Sequence, residues 1–260
     1  MIRPINSEQV IYGVIPVGGR GTRLRNIIGD VPKVLTRFEG IEILTYSLLS
    51  LTKIGLNQLI LITTDHTHKD IIKFVKEFKN NYEIRDIQIN VINANKKGTA
   101  KATHYVSHQI KTPFFYTNGD IIFYPQILQE IYKEFISNNN LIAVVTGSTK
   151  DVAPTHPHFV INKDCYLTEV CIYPDIKSST LCSMETAIFS PEIFNYLEIL
   201  PENSMTMEAL NLALNDGKYV YVKVYNNFWY HLAEPADIGE YQRCLQEIRR
   251  IQSILEVKIK

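Results

Sequence analysis

A glycine-rich loop with cationic side chains is the part of this sequence whose residue types best suit chemistry. Residues 15–35 read IPVGGRGTRLRNIIGDVPKVL. Glycine lets a backbone turn its N–H groups toward an anion and adopt φ values that other residues avoid. Arg offers a planar fork of donors to phosphate oxygens, and Lys offers a point charge. The residues concerned are Gly18, Gly19, Arg20, Gly21, Thr22, Arg23 and Lys33.

The leading interpretation of this loop is a polyphosphate-binding site, and the alternative is a tight turn with solvated arginines. Two familiar phosphate-binding motifs are excluded. A P-loop ends in Gly-Lys-[Ser/Thr], whereas Gly21 is followed by Thr22 and Arg23. The dinucleotide-binding fingerprint has a third glycine where this chain has Leu24.

Two later segments combine a glycine with groups that bind phosphate, a base or a cation. Residues 98–100 (GTA) follow a predicted strand and open a predicted helix, so their backbone N–H groups are candidate donors to an anion or a base edge. The alternative is a plain helix start capped by Thr99. Residues 118–120 (NGD) end another predicted strand, where the Asp120 carboxylate suits a hard cation and phosphate oxygens. The alternative there is a local turn bond.

The composition predicts a soluble globular protein of one large domain. The chain has 260 residues, 45% of them hydrophobic, with 27 basic and 27 acidic side chains. A net charge of zero argues against nucleic acid or an anionic membrane as the main partner. The 4 cysteines lack a CxxC spacing and are typical of reduced thiols. Since we find neither a membrane-length apolar run nor a signal peptide, we expect a cytoplasmic protein.

The elements that must position these segments alternate between strand and helix over the first 150 residues. Such alternation predicts a parallel sheet covered on both faces, with ligands beyond the carboxyl ends of the strands. Predicted strands are 58–63, 87–92, 114–116 and 141–146, and predicted helices are 42–54, 69–78, 99–110 and 125–136.

In the second half, short predicted strands follow one another before the helices begin, an order that predicts a mixed and mostly antiparallel arrangement. We expect a single domain over 1–260 that consists of two halves, 1–150 and 151–260. Predicted strands are 158–161, 167–173, 186–189 and 219–225, and predicted helices are 191–200, 205–215 and 236–257.

The glycine-rich loop resembles the GxGTR…PK loop of the sugar-nucleotide pyrophosphorylases. Gly19, Gly21, Thr22, Arg23 and the pair at 32–33 match it position by position. The resemblance implies a three-layer α/β sandwich of the Rossmann-like nucleotidyltransferase kind, with a mixed, mainly parallel sheet. It implies catalytic roles for Arg23 and Lys33 and a Mg²⁺-binding role for Asp120. The nucleotide-binding residues that it implies are Val17, Gly18, Gly19, Gly21, Thr22, Gly98, Thr99, Ala100, Asn118 and Gly119.

The resemblance makes 1–150 the nucleotide-binding half of the domain and 151–260 its acceptor-side half, and the acceptor-side half departs from the pattern of this family. In the segment W-x-D-[IV]-G-[ST]-P-x-D, the first Asp, usually the second metal ligand, is His231 here. Imidazole is a poorer ligand for Mg²⁺ than carboxylate, so His231 is a candidate for binding Mn²⁺ or phosphate, or for neither. Asp237 is better explained as a helix cap.

Three further positions of the acceptor-side half need an interpretation of their own. Tyr173 falls where the family has a Lys that holds the phosphate of the acceptor. In place of Asn-x-Gly-[IV]-Tyr the chain has residues 183–187, where Glu185 is either a partner of acceptor hydroxyls or a solvated charge at a strand edge. His156 and His158 flank Pro157 in a predicted loop and are typical of structural histidines.

The resemblance implies transfer of a nucleotidyl group from an NTP to a sugar 1-phosphate, with release of pyrophosphate. The expected cofactor is Mg²⁺, with Mn²⁺ as an alternative. The expected partners are an NTP and a phosphorylated small molecule, with a homo-oligomer left open. Two alternatives remain: a cytidylyltransferase for a non-sugar or polyol phosphate, and a non-catalytic regulatory subunit that binds a sugar nucleotide.

Overall fold

A nine-stranded mixed sheet organises the chain in a computed structural model. The structure describes residues 4, 11–19, 21–84, 87–150, 156–172 and 180–258. The strands are β1 (Tyr12–Pro16), β2 (Arg37–Phe38), β3 (Ile41–Glu42), β4 (Gln58–Thr63), β5 (Gln88–Asn93), β6 (Phe114–Thr117), β7 (Ile121–Phe123), β8 (Leu141–Ser148), β9 (His158–Ile161), β10 (Leu167–Cys171), β11 (Leu181–Phe189), β12 (Tyr219–Tyr225) and β13 (Trp229–His231).

The helices lie in two layers, one on each face of this sheet. They are α1 (Arg25–Ile28), α2 (Leu44–Lys53), α3 (His68–Asn81), α4 (Thr99–His104), α5 (Gln126–Ser137), α6 (Ile193–Ile199), α7 (Ala209–Asn215), α8 (Pro235–Arg243) and α9 (Leu245–Leu255), with short 3₁₀ turns at Lys33–Leu35 and Thr206–Glu208. One apolar core contains residues of α2, α3, α5, α8 and α9, and a second contains residues of α4, α6 and α7. The predicted three-layer α/β fold is therefore confirmed.

The direction of strand pairing changes along the sheet. Strands β6, β1, β4 and β5 are parallel neighbours, as the alternating pattern of the first half predicts. Strand β11 is antiparallel to β6, β8 and β9, and β9 is antiparallel to β10, while β12 joins β8 in parallel. Loops 17–24, 94–98 and 118–120 follow β1, β5 and β6, so the three candidate segments start from the carboxyl ends of parallel strands.

Two predicted helices differ from those observed. The helix predicted over 99–110 ends at His104 because the following turns tighten, with i→i+3 bonds such as Ser107 N–H to His104 O at 2.9 Å. The helix predicted over 236–257 is divided at Cys244 into α8 and α9. Tyr241 of α8 stacks on Phe38 with ring centroids 4.0 Å apart, while Ile251 of α9 is fully buried in the same core.

Strand β11 contains an irregularity that changes the environment of Glu185. The register with β8 shifts between Ser183 and Ala187, and Glu185 has a φ of 51°. This left-handed conformation costs a non-glycine residue roughly 1–2 kcal/mol. The interpretation of Glu185 as a solvated strand-edge charge is wrong, because the residue is only 3% exposed and lies inside a strand paired on both sides.

Gly98 lies where the two halves of the chain touch. Its φ is 81°, and a Cβ built on it would lie 2.6 Å from the carbonyl carbon of Asn203. The next residues join the same contact, since Ala100 N–H donates to Ser204 O at 3.1 Å and Thr206 N–H donates to Thr99 Oγ1 at 3.0 Å. Glycine at 98 is therefore required both by its backbone conformation and by the close approach of residues 203–204.

We expect Gly98→Ala to lower the melting temperature by at least twice as much as Gly217→Ala. Both glycines have positive φ, but a Cβ at Gly217 meets no atom within 4 Å. The control therefore carries only the backbone cost of roughly 1–2 kcal/mol, and about 1 kcal/mol corresponds to roughly 2–4 °C in a chain of this size. Thermal unfolding followed by circular dichroism measures both variants. Equal shifts in melting temperature would show that residues 203–204 move away from a Cβ at position 98 at little cost in free energy.

Candidate functional site

The loop after β1 leaves backbone donors available for an anion. Val17 N–H is used, because it donates to Ile62 O at 2.8 Å. Within the part of the chain that the structure describes, no hydrogen bond uses the N–H groups of Gly18, Gly19, Gly21 or Thr22. Unpaired N–H groups in a turn after a strand form the kind of concavity that binds phosphate.

Three glycines allow the walls of this loop to come together. A Cβ on Gly18 would lie 2.8 Å from Thr64 Cγ2, and one on Gly119 would lie 3.0 Å from Val17 Cγ1. Gly21 has a φ of 61°, and a Cβ there would lie 3.0 Å from Lys33 Cβ. These glycines thus bring the loop after β1 against residues 33 and 119, as the order of the motifs suggested.

Lys33, Asp120 and His231 form a buried cluster of charged and polar groups at the floor of the loop. Lys33 Nζ makes an ion pair with Asp120 Oδ2, and His231 Nε2 lies 3.5 Å from the same oxygen. The antiparallel pairing of β13 with β7 sets this geometry, because it places His231 opposite Ile121, the residue after Asp120. Leu232 N–H also donates to Asp120 O at 3.0 Å.

The Asp120 carboxyl is held in its charged form. Burial alone would raise its pKa, but Lys33 and His231 outweigh burial and hold that pKa well below its usual range. Its second oxygen, Oδ1, is enclosed and has no hydrogen-bond partner, and the same holds for Nδ1 of His231. A buried, charged, unpaired oxygen is a position that a cation or a further donor would satisfy.

His156 lies against this cluster, which the sequence did not indicate. Its ring centroid is 4.2 Å from that of His231, and its Nδ1 is 3.0 Å from Ser183 O. Burial, and then the charge of His231, lowers the pKa of His156 to about 3, so the ring is neutral at physiological pH. His158 lies at the start of β9, with Nδ1 2.9 Å from Thr180 Oγ1. The interpretation of His156 as a structural histidine therefore leaves out its contact with His231.

A second group of polar residues lies where β5 and β6 end. Tyr116 O–H donates to Asn118 Oδ1 at 3.0 Å, and Asn118 N–H donates to Glu185 O at 3.3 Å. Thr99 does not cap α4 with its side chain, because Gly98 is the cap residue and Thr99 Oγ1 accepts from Thr206. The N–H of Ala100 is already bonded to Ser204, so it is not available as the donor that the sequence predicted.

Glu185 is close to the Asp120 cluster but outside its ion pairs. Burial, and then the charges of Asp120 and Glu208, raise the pKa of Glu185 to about 8. No hydrogen bond or ion pair reaches its carboxyl from any residue described by the structure. Its oxygens are also not among the fully enclosed unpaired atoms, so the little of Glu185 that is exposed includes the carboxyl.

Other predicted residues lie at the mouth of the site or outside the described residues. Arg23 is exposed, and its Nη1 lies 3.7 Å from Glu234 Oε1 at the start of α8. Asp237 accepts N–H donations from Ala233 and Glu234 at 2.6 Å, which confirms its interpretation as a cap. Tyr173 and Arg20 lie outside the described residues.

The described residues contain no group of three His, Cys, Asp or Glu side chains arranged to hold a metal ion. Among the described residues, Asp120 presents the only carboxylate oxygen that is both fully enclosed and unpaired. Mg²⁺ is commonly held by one or two carboxylates together with substrate phosphates and water, so the residues present fit a cation that binds with a nucleotide. Among these residues, no helix is both long and apolar enough to span a membrane.

Comparisons with known proteins agree with this geometry. A family model described as Nucleotidyl transferase matches residues 12–252. The UTP–glucose-1-phosphate uridylyltransferase AglF of Haloferax volcanii is 25% identical over 242 residues, which cover 91% of this chain and 97% of that protein. The mannose-1-phosphate guanyltransferase of Hypocrea jecorina is 23% identical over 231 residues, covering 86% of this chain and 61% of that protein.

A solved structure has the same fold. The inositol-1-phosphate CTP transferase from T. maritima superposes with a TM-score of 0.77, covering 97% of this chain and 99% of that one, at 20% identity. At this identity the likeness shows the fold alone.

We expect the unfolding free energy to fall between pH 6.5 and 8 because of Glu185. Its pKa is raised from 4.5 to about 8, so its contribution is complete below 4.5 and is lost as the pH passes 8. His156 acts in the opposite direction, but its contribution changes only between about 3 and 6.5. Urea unfolding at a series of pH values, in EDTA, measures this dependence. The free energy of unfolding should fall less steeply with pH in Glu185→Gln than in the wild type. Equal slopes in the two proteins would contradict a buried neutral Glu185.

Proposed function

We propose, from the premise that this chain belongs to the nucleotidyl transferase family, that it transfers a nucleoside monophosphate from an NTP to a sugar 1-phosphate and releases pyrophosphate. One observation carries the proposal: unpaired loop N–H groups lie beside a partly buried lysine and a buried carboxylate with one unpaired oxygen. A polyphosphate would supply acceptors for the loop donors and for Lys33, and the unpaired oxygen of Asp120 would hold the cation that accompanies it.

The reaction requires no general base from the protein. A phosphate oxygen of the acceptor attacks the α-phosphorus of the NTP, forming one P–O bond while the bond to the β-phosphate bridging oxygen breaks. That acceptor oxygen is already largely ionised at neutral pH, because the second pKa of such a phosphate is about 6. Catalysis then rests on alignment and on stabilising the negative charge of the transferred and leaving groups.

The donor half of the site has distinct tasks in this proposal. The loop from Val17 to Thr22 binds the phosphates, and Lys33 neutralises charge at the α-phosphate. Arg23, at the mouth of the loop, exchanges its contact with Glu234 for a contact with the pyrophosphate that departs. Gly98 and Thr99 contact the base, as do Asn118 and Gly119. Ala100 contributes shape rather than a donor, since its N–H is bonded to Ser204.

We propose Mg²⁺ or Mn²⁺ as the cofactor, held by Asp120 and the phosphates of the nucleotide. The cation would supply Lewis-acid stabilisation of phosphate charge. His231 remains a candidate second ligand because its Nδ1 is unpaired. The 4 cysteines form no disulfide, which suits a reducing compartment, and we place the reaction in the cytoplasm.

A polyol phosphate is the second candidate acceptor. Tyr173 stands where the resemblance would place a phosphate-binding Lys, and both Tyr173 and Glu185 belong to the acceptor side in our proposal. The structural likeness to an inositol-1-phosphate CTP transferase favours testing this class beside sugar phosphates.

We expect Lys33→Met to lower the turnover number by about 10²–10³-fold, the typical cost of losing one fixed donor to developing charge. Because Lys33 forms an ion pair with buried Asp120, we expect the variant to be less stable as well. Pyrophosphate release at saturating NTP, measured well below the melting temperature, separates the two effects. Lys76→Met, at an exposed position on α3, is the control, and wild-type turnover in Lys33→Met would exclude the lysine from the mechanism.

We expect Asp120→Asn to abolish most divalent-cation-dependent activity, since it removes the single carboxylate available to the cation. His231→Asp should raise the affinity for Mg²⁺ relative to Mn²⁺, because carboxylate suits the harder ion. Titration calorimetry of the nucleotide-bound protein measures cation affinity independently of turnover. If His231→Ala leaves both affinities unchanged, His231 is not a ligand and Asp120 acts alone.

A further inference from the structure

Glu185 occupies a position where both backbone and burial disfavour a glutamate. Its φ of 51° belongs to the left-handed region that glycine adopts freely, and the resemblance places a glycine at this position. The side chain is nevertheless a carboxyl on a residue only 3% exposed. Residues held in such conformations concentrate at functional sites, where the side chain is needed in one place.

The structure gives this carboxyl no partner within the described residues. Lys33 forms its ion pair with Asp120, and Glu208 uses its own Oε1 to accept the N–H of Met205 at 2.7 Å. Burial, and then the negative charges of Asp120 and Glu208, raise the pKa of Glu185 and favour a neutral carboxylic acid there. A neutral acid has one O–H donor and one C=O acceptor, which together match an alcohol hydroxyl.

The position of Glu185 relates this carboxyl to the reacting groups. Its backbone carbonyl accepts from Asn118 N–H at 3.3 Å, two residues before Asp120. Glu185 therefore belongs to a segment that lies beside the cluster of Lys33 and Asp120, where a substrate phosphate would bind in the proposed reaction. Inorganic phosphate lacks the carbon framework that would bridge these two positions.

We propose that Glu185 is a specificity-determining residue that binds one ring hydroxyl of the phosphorylated acceptor, donating to and accepting from that hydroxyl. This inference rests on the proposed nucleotidyl transfer. The ligand class is a hydroxylated ring carrying a phosphate, either a sugar or a cyclitol. A glutamate at this position, whose backbone conformation favours glycine, would let the site distinguish acceptors that carry that hydroxyl from those that lack it.

The test compares Glu185→Gly, Glu185→Gln and the wild type on glucose 1-phosphate, inositol 1-phosphate and their singly deoxygenated analogues. Glycerol phosphate serves as the acceptor without a ring. A site built to bind a hydroxyl rejects the analogue without it, and we expect a wild-type preference in kcat/KM of about 100-fold or more for one ring position. In Glu185→Gly this preference should fall below about tenfold while the KM for NTP stays unchanged. Glu185→Gln, whose amide both donates and accepts, should retain most of it.

Thermal unfolding without ligand provides a readout that is independent of catalysis. Glu185→Gly should raise the melting temperature by about 2–4 °C, because it relieves the left-handed backbone and removes an unpaired buried carboxyl. Glu83→Gly is the control for the backbone effect, since Glu83 has a φ of 55° at an exposed position. The exposed ion pair that this variant loses, with Lys258 Nζ at 3.1 Å, contributes little to stability. The control variant should be stabilised by the backbone effect and keep the wild-type acceptor preference.

A lower melting temperature in Glu185→Gly would overturn the inference, because Glu185 would then serve the fold. An unchanged acceptor preference in that variant would overturn it as well. If no pair of NTP and acceptor releases pyrophosphate, the proposed function is wrong. The role of Glu185 is then tested by acceptor binding alone. A rise in melting temperature with glucose 1-phosphate or inositol 1-phosphate that disappears in Glu185→Gly supports it, and no such rise in the wild type rejects it.

Discussion

The ion pair between Lys33 and Asp120 is the interaction on which the arrangement of the site depends. A buried carboxylate is costly unless a cation and hydrogen bonds compensate it, and Lys33 is the cation that contacts it. The pair uses only one carboxylate oxygen, and the other remains enclosed without a partner. A charge pair therefore lies at the floor of the loop in which the N–H groups of Gly18, Gly19, Gly21 and Thr22 are unpaired. A polyanion with its cation would complete this arrangement.

Strand topology explains how residues distant in the sequence reach this pair. Parallel strands β1, β5 and β6 deliver their following loops to one edge of the sheet. The small β7–β13 sheet adds His231 from the far end of the chain, and β11 adds Glu185 from beside β6. The antiparallel strands thus complete on the acceptor side a site that the parallel strands begin on the nucleotide side.

The sequence predicted the parts of this structure that depend on local pattern. Apolar periodicity located the strands of the parallel half, since strand 58–63 was predicted with its observed bounds, and the glycine spacing located the loop after β1. Sequence patterns could not predict the contacts that depend on the register of strands distant in the chain. Nothing near His156 in the sequence indicates a ring 4.2 Å from His231, because strand pairing brings these residues together. The burial of Glu185 likewise follows from strands on both sides and from a bulge that no sequence pattern marked.

The most direct measurement of the central claim is ³¹P NMR of the wild-type protein with an NTP, Mg²⁺ and either glucose 1-phosphate or inositol 1-phosphate. The account predicts that the NTP and acceptor signals decline together while pyrophosphate and a nucleoside diphosphate ester of the acceptor appear in equal amounts. The account would be contradicted if all four common NTPs remained intact with every acceptor and either cation, or if the NTP were only hydrolysed while the acceptor signal stayed constant.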